Sequence, residues 1–133
     1  MIKQIAVFLE NKEGKASGCC KVLKDAGVNL CALSIADTKD FGILRMITDD
    51  NGKAMDALKK FGYLATEVEL VGLEIPDTAG ALSELLIELG DGGVNVEYMY
   101  SFAGADGHAN IAFKTSAVEK ALEILTANGA KLL

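Results

Sequence analysis

The chain has 133 residues, half of them hydrophobic, with 24% charged, which describes a folded globular chain and excludes a disordered one. A formal net charge of −6 and a pI near 4.7 leave no basic surface to displace counterions, so nucleic acid is excluded as a partner. No apolar run approaches the length needed to span a bilayer, so no membrane partner is expected either. The N-terminus enters a strand directly, without the apolar core of a signal peptide, and points to the cytoplasm.

Ile2 to Leu9 alternates, with Ile5, Val7 and Leu9 on one face and Ala6 and Phe8 on the other. The turn Asn11-Lys12-Glu13-Gly14 follows; it reads as an Asx side chain at a helix N-cap with a glycine in the first helical turn. Ala16, Cys19, Cys20, Leu23 and Ala26 then fall at helical spacing as one buried stripe, and Gly27 ends the helix as a left-handed cap. Cys19 and Cys20 read as small core residues; with Cys31 the cysteines are odd in number and lack C-x-x-C spacing, so no metal or redox role is expected. Asn29 to Ala36 is a second strand, Asp37 to Asp40 a hairpin turn, and Gly42 to Thr48 a third strand. Asn51-Gly52 reads as a turn before a helix marked by Ala54, Leu58 and Phe61, with Met55 beside the stripe, and Gly62 to about Glu67 gives a fourth strand.

The second half repeats this order. Val68 to Ile75 is a strand, Asp77-Thr78-Ala79-Gly80 the turn, and Leu82, Leu85, Leu86 and Leu89 line a helix stopped by Gly92-Gly93. Asn95 to Ala103 and His108 to Lys114 are strands around a turn at Gly104 to Gly107; Val118, Ala121, Leu122 and Leu125 line the last helix before a short strand within Ala130 to Leu133. The turns share one offset, 77−11 = 66 and 80−14 = 66, which also relates Val28-Asn29 to Val94-Asn95. An internal repeat of a domain-sized unit follows. The predicted fold is α+β: two tandem ferredoxin-like βαββαβ units, residues 1–66 and 67–133, each with two helices on one face of an antiparallel sheet. Phe8, Leu44, Met46, Met99 and one of Tyr98 or Tyr100 are assigned to the open face. A surface that apolar is buried against a second sheet, so the halves are expected to pair and the chain to form a homodimer.

The Asx-x-x-Gly turns, the Gly-Val-Asn before each second strand and the β-α-β-β-α-β order resemble the ACT domain. Ile2-Lys3-Gln4-Ile5, Val7 to Lys12, Ala32 to Thr38, Asp40 to Arg45 and Glu97 to Ser101 resemble small stand-alone tandem ACT proteins over the whole chain. Glu13 departs from the pattern, which often has Pro there. The resemblance implies sensing of a free amino acid, bound between two ACT domains against the first turn and the start of the second strand. Carried onto this chain, it nominates Asn11, Gly14 and Lys15 with Asn29 and Leu30, and Asp77, Gly80 and Ala81 with Asn95 and Val96. The implied partners are a free amino acid or similar small metabolite, a second copy of the chain, and an enzyme or regulator of amino-acid metabolism.

The chemistry of the turns fits that implication. Helix-start amides suit a carboxylate, while asparagine oxygens and strand carbonyls suit an ammonium. Asn29 and Asn95 have a second reading as plain strand starters. The first turn is expected to be the better carboxylate site, because Asp77 brings a like charge to the second helix start while Lys15 adds a cation to the first.

Enzymatic readings lack material. His108 reads as an exposed residue in a turn-to-strand position, Asp37, Asp40, Asp49 and Asp50 as solvated loop carboxylates, and Tyr98 and Tyr100 as interface packing with both rings on one face. No phosphate loop or nucleophile elbow is present, and no cofactor is expected. The reading is therefore a non-catalytic regulatory protein. Its rivals are a constitutive interaction or oligomerisation module without ligand, and a small enzyme using the tyrosine pair with His108.

Overall fold

The computed structural model describes residues 1–37 and 40–133; the expected hairpin turn at Asp37 to Asp40 therefore lies partly outside the described residues. The chain divides into two compact units, Lys3–Val68 and Glu69–Leu133, the latter including Met1–Ile2. The N-terminal unit is built from β1 (Ile2–Glu10), α1 (Lys15–Asp25), β2 (Leu30–Asp37), β3 (Phe41–Thr48), α2 (Asn51–Lys60) and the first part of β4 (Leu64–Pro76). The C-terminal unit takes the rest of β4, then α3 (Ala81–Asp91), β5 (Tyr98–Ala103), β6 (His108–Lys114), α4 (Val118–Ala127) and β7 (Lys131–Leu132). Strand order is β2-β3-β1-β4 in the first and β5-β6-β4-β7 in the second, the same order once the labels are shifted. Both are βαββαβ units with antiparallel sheets, as the sequence predicts.

The two cores are built from matched positions. Ile5, Val7, Cys19, Leu23, Val28, Leu44, Met46, Ala54 and Leu58 fill the first. Val71, Leu73, Leu85, Leu89, Val94, Ile111, Phe113, Ala121 and Leu125 fill the second. Alternation along β1 and the 3.6-residue stripe of α1 meet in these clusters, so strand and helix periodicities agree on one buried layer. Gly27 (φ 72°) and Gly93 (φ 76°) end α1 and α3 in the left-handed region. Behind them Val28 and Val94 donate back to the Leu23 and Leu89 carbonyls (3.0 and 2.9 Å), closing each helix onto its own core.

Several expectations need correction. Leu44 and Met46 are fully buried in the helix-side core, not on the open face, because the β1–β3 register sets Met46 opposite Ile5 and Leu44 opposite Val7. Met99, opposite Phe113, likewise packs against the second core. Phe8 stays off that layer and is 46% exposed. The two strands expected on either side of residue 67 are one strand, β4, since no glycine or proline interrupts Leu64 to Val71. Asn51-Gly52 is not a separate turn but the first turn of α2, capped by Asp50, whose side chain accepts from the Lys53 amide at 3.0 Å. Asp49 is also engaged, accepting from the Asn29 amide at 2.9 Å. Phe61 leaves the helix stripe and sits exposed at the C-cap. β5 starts at Tyr98, leaving Asn95 and Val96 ahead of the strand.

Candidate functional site

Each unit turns from its first strand into its first helix through the same device. Gly14 (φ 78°) and Gly80 (φ 90°) stand at the N-caps of α1 and α3 in the left-handed conformation, which glycine adopts without Cβ strain. Asn11 and Asp77, expected as side-chain caps, do not cap: a tight turn intervenes, with Lys15 and Ala81 amides donating to the Lys12 and Thr78 carbonyls at 3.3 Å each. Asn11 and Asp77 use their backbone amides instead, donating to the carbonyls of Asp40 (3.0 Å) and Gly107 (2.9 Å). Among the described residues no side chain caps either helix start with a hydrogen bond, and the space beside both glycines is open. The two starts differ in charge. α1 begins with Lys15 and has no acidic residue in its first turn, whereas α3 has Glu84 there.

Asn29 and Leu30 lie at the other end of the same sheet. The register pairs Glu10 with Phe41 and Asp37 with Gly42 at the turn end, and Leu30 with Thr48 at the far end. The eight residues of β2 separate them by roughly 25 Å at ~3.3 Å per residue. The C-terminal unit repeats this, with Ala103 opposite Ala109 near the turn and Asn95 and Val96 beyond Tyr98 at the far end. One unit therefore gathers Asn11, Gly14 and Lys15, or Asp77, Gly80 and Ala81, without the strand-start residues nominated beside them.

Beside each turn is a cleft. That of the N-terminal unit, about 460 Å³, is walled by Phe8, Phe41, Phe61, Tyr63 and Leu64, with Glu10 and Lys15 also lining it. That of the C-terminal unit, about 430 Å³, has Glu74, His108, Asn128 and Lys131 among its lining residues, with Ala81 of the helix start. These sets correspond: Phe8 and Glu74 pair with equivalent β-register partners, Phe41 and His108 face Glu10 and Pro76, and Phe61 and Asn128 are both C-caps. Leu64 and Lys131 follow the left-handed glycines Gly62 and Gly129 by the same two positions.

In the C-terminal cleft Lys131 Nζ lies 3.2 Å from Glu74 Oε1, and His108 Nε2 lies 4.0 Å from the same oxygen. His108 is exposed, as expected, with its Nδ1 3.0 Å from the Asp106 carbonyl oxygen. In the N-terminal cleft, Lys12 (3.0 Å away) and then the charge of Lys15 hold the Glu10 carboxyl below its ordinary range. Burial pushes the Tyr63 hydroxyl up, with Cys19 and Cys20 adding to the shift. Sequence reasoning missed the clefts because their walls are spread along the chain. The signal was present: after the hairpin the repeat offset becomes 108−41 = 67 and 131−64 = 67, one more than before it.

The whole sequence, residues 1–133, matches the family described as ACT domain pair. The chain belongs to the ACT domain pair family. It is similar to a crystal structure of a protein from Bacteroides thetaiotaomicron, at 41% identity over 99% of this chain and 91% of that one, with a TM-score of 0.92. The regulatory subunits of aspartate kinase from Thermus thermophilus and Thermus flavus are 14% and 16% identical, with TM-scores of 0.67 and 0.65. They match 94% of this chain and 91% and 90% of their own, and at that identity they share the fold. No curated protein matches the sequence. The resemblance read from the residues is thus borne out, as are the two ACT units it implied. Among the described residues, no helix is long and apolar enough to cross a membrane.

Proposed function

We propose that this ACT pair is a non-catalytic regulatory protein that binds a free amino acid and signals through a partner or a change of assembly in the cytoplasm. The observation that carries the reading is the bare glycine cap at both helix starts. Helix N-termini carry partial positive charge and unpaired amides, and with no side-chain cap among the described residues they are suited to an acceptor from outside. An amino-acid carboxylate meets that need. The α1 start is the better of the two, since Lys15 adds a cation where α3 has Glu84. Asp77, exposed and uncommitted to capping, is suited to an ammonium.

Because one unit holds its turn and its strand start at opposite ends of the sheet, a site using both draws them from two ACT units. A homodimer is also part of the proposal, with the site at an ACT–ACT interface where one unit supplies its turn and another its strand start. The regulatory subunits named above support a partner among enzymes of amino-acid metabolism. The test is thermal stability against a panel of free L-amino acids at millimolar concentration. Ligand at 100 times its dissociation constant adds about 2.7 kcal/mol and shifts the melting point by several degrees. The shift should fall more in Asn11→Ala than in Asp77→Ala; equal losses remove the asymmetry.

A second reading, constitutive assembly without ligand, is favoured by the edge strand β2, where Leu33 and Ile35 are 51% and 55% exposed. It predicts no amino-acid shift and a dimer that persists in ligand-free buffer.

A further inference from the structure

The two clefts act as a control for one another. The C-terminal unit shows that this fold closes its core with Glu74, His108, Asn128 and Lys131 at these four positions, so folding does not require apolar residues there. The N-terminal unit nevertheless carries Phe8, Phe41, Phe61 and Leu64 at 46%, 56%, 62% and 65% exposure. At these four positions the neighbouring repeat carries polar side chains, and a concave group of four exposed large apolar ones marks a surface suited to an apolar ligand.

The shape and charge of the cleft say what covers it. At about 460 Å³ it is concave and falls in the range of small-molecule sites, apolar-walled with a few polar groups. Those groups are of opposite sign: Glu10, which pairs with Lys12 at 3.0 Å, and Lys15, close enough that its charge also acts on Glu10. The first turn of α1, the anion site of the proposed function, borders the same cleft through Lys15. An amino acid carrying one large apolar side chain brings a carboxylate to Lys15 and the helix start, an ammonium that shares Glu10 with Lys12, and an apolar group to the aromatic wall. Polar amino acids leave the wall wet, and a purely apolar ligand leaves the helix start beside Lys15 without an anion.

We propose that the N-terminal cleft selects free amino acids with a large aromatic or aliphatic side chain, seated against Phe8, Phe41, Phe61 and Leu64, and that the C-terminal cleft does not. This rests on the amino-acid-binding reading and specifies its ligand class.

The test is calorimetric titration of the full chain with L-phenylalanine, L-leucine, glycine, L-aspartate and L-lysine. It is repeated on the double variant Phe41→His/Leu64→Lys, which installs the C-terminal unit's residues at two exposed positions. Sedimentation of both proteins is measured without ligand. The expected result is tighter binding of L-phenylalanine or L-leucine than of the other three, weakened about tenfold or more in the variant, with unchanged sedimentation and melting point. Binding of L-aspartate or L-lysine in preference, or equal apolar affinity in the variant, overturns this inference while leaving amino-acid binding intact. No binding by any of the five overturns both. A dimer that falls to monomer in the ligand-free variant overturns it in favour of a second copy as the occupant.

Discussion

The two ACT units agree inside and disagree at their clefts. Nine core positions correspond between them, from Ile5 and Val71 to Leu58 and Leu125, while Phe8, Phe41, Phe61 and Leu64 of one cleft have Glu74, His108, Asn128 and Lys131 as their counterparts in the other. The difference teaches which residues the fold needs. A strand-helix layer must fill a fixed space with apolar groups, and both copies do so with close substitutes. The cleft walls are free of that demand, so their chemistry reports on what each unit meets at its surface.

The largest expected effect tests the agreement. Leu23 and Leu89 occupy the same core position at 0% and 1% exposure. Leu23→Ala and Leu89→Ala should each cost about 3 kcal/mol in urea unfolding. A cost below about 1 kcal/mol in one unit alone would show that its core is looser than the other.

A smaller effect separates the cores at one position, where Cys19 stands in the N-terminal unit and Leu85 in the C-terminal one. Burial pushes the Cys19 thiol from 9.0 up to about 11. The folded state then holds its proton more tightly than the unfolded chain does, so the contribution is complete below pH 9. It is lost as pH rises through 11, a fall on the order of 2 kcal/mol. Urea unfolding from pH 8 to 11 should show a steeper loss in the natural chain than in Cys19→Ala. Parallel pH profiles would place the thiol outside the core.

The smallest effect concerns the second helices. Asp50 caps α2 with a side-chain bond, whereas Ala117 at the matching position of α4 has none. Asp50→Ala should cost about 1 kcal/mol and Ala117→Asp should gain about 0.5 kcal/mol. Thermal melts of the two variants measure both, and a loss in Ala117→Asp would mean that the existing Thr115 hydroxyl bond to the Ala117 amide (3.1 Å) already does the capping.

The fold was legible because its periodicities are clean. The stripes of α1 and α3 and the glycines Gly27 and Gly93 define helices, and the offset of 66 makes the duplication visible. What alternation does not supply is register. It separates Phe8 from Val7, but only the pairing of β1 with β3 puts Leu44 and Met46 on the side of Val7 and Ile5. The cap was ambiguous for a similar reason, since Asn11 and Gly14 are both good N-cap residues and the left-handed turn at Gly14 decides between them. The clefts were least legible. Phe41 and His108 are matched only after the hairpin adds one residue to the offset, so a fixed spacing of 66 sets Phe41 against Gly107 and hides the substitution.

On this reading the N-terminal cleft, and not its C-terminal counterpart, takes the ligand. An amide-resolved NMR titration with L-phenylalanine tests it most directly. Shifts are expected at Lys15, Phe41, Phe61 and Leu64, with none at Glu74, His108 and Lys131. Shifts confined to the C-terminal set, or absent from both with L-phenylalanine and L-leucine alike, would contradict it.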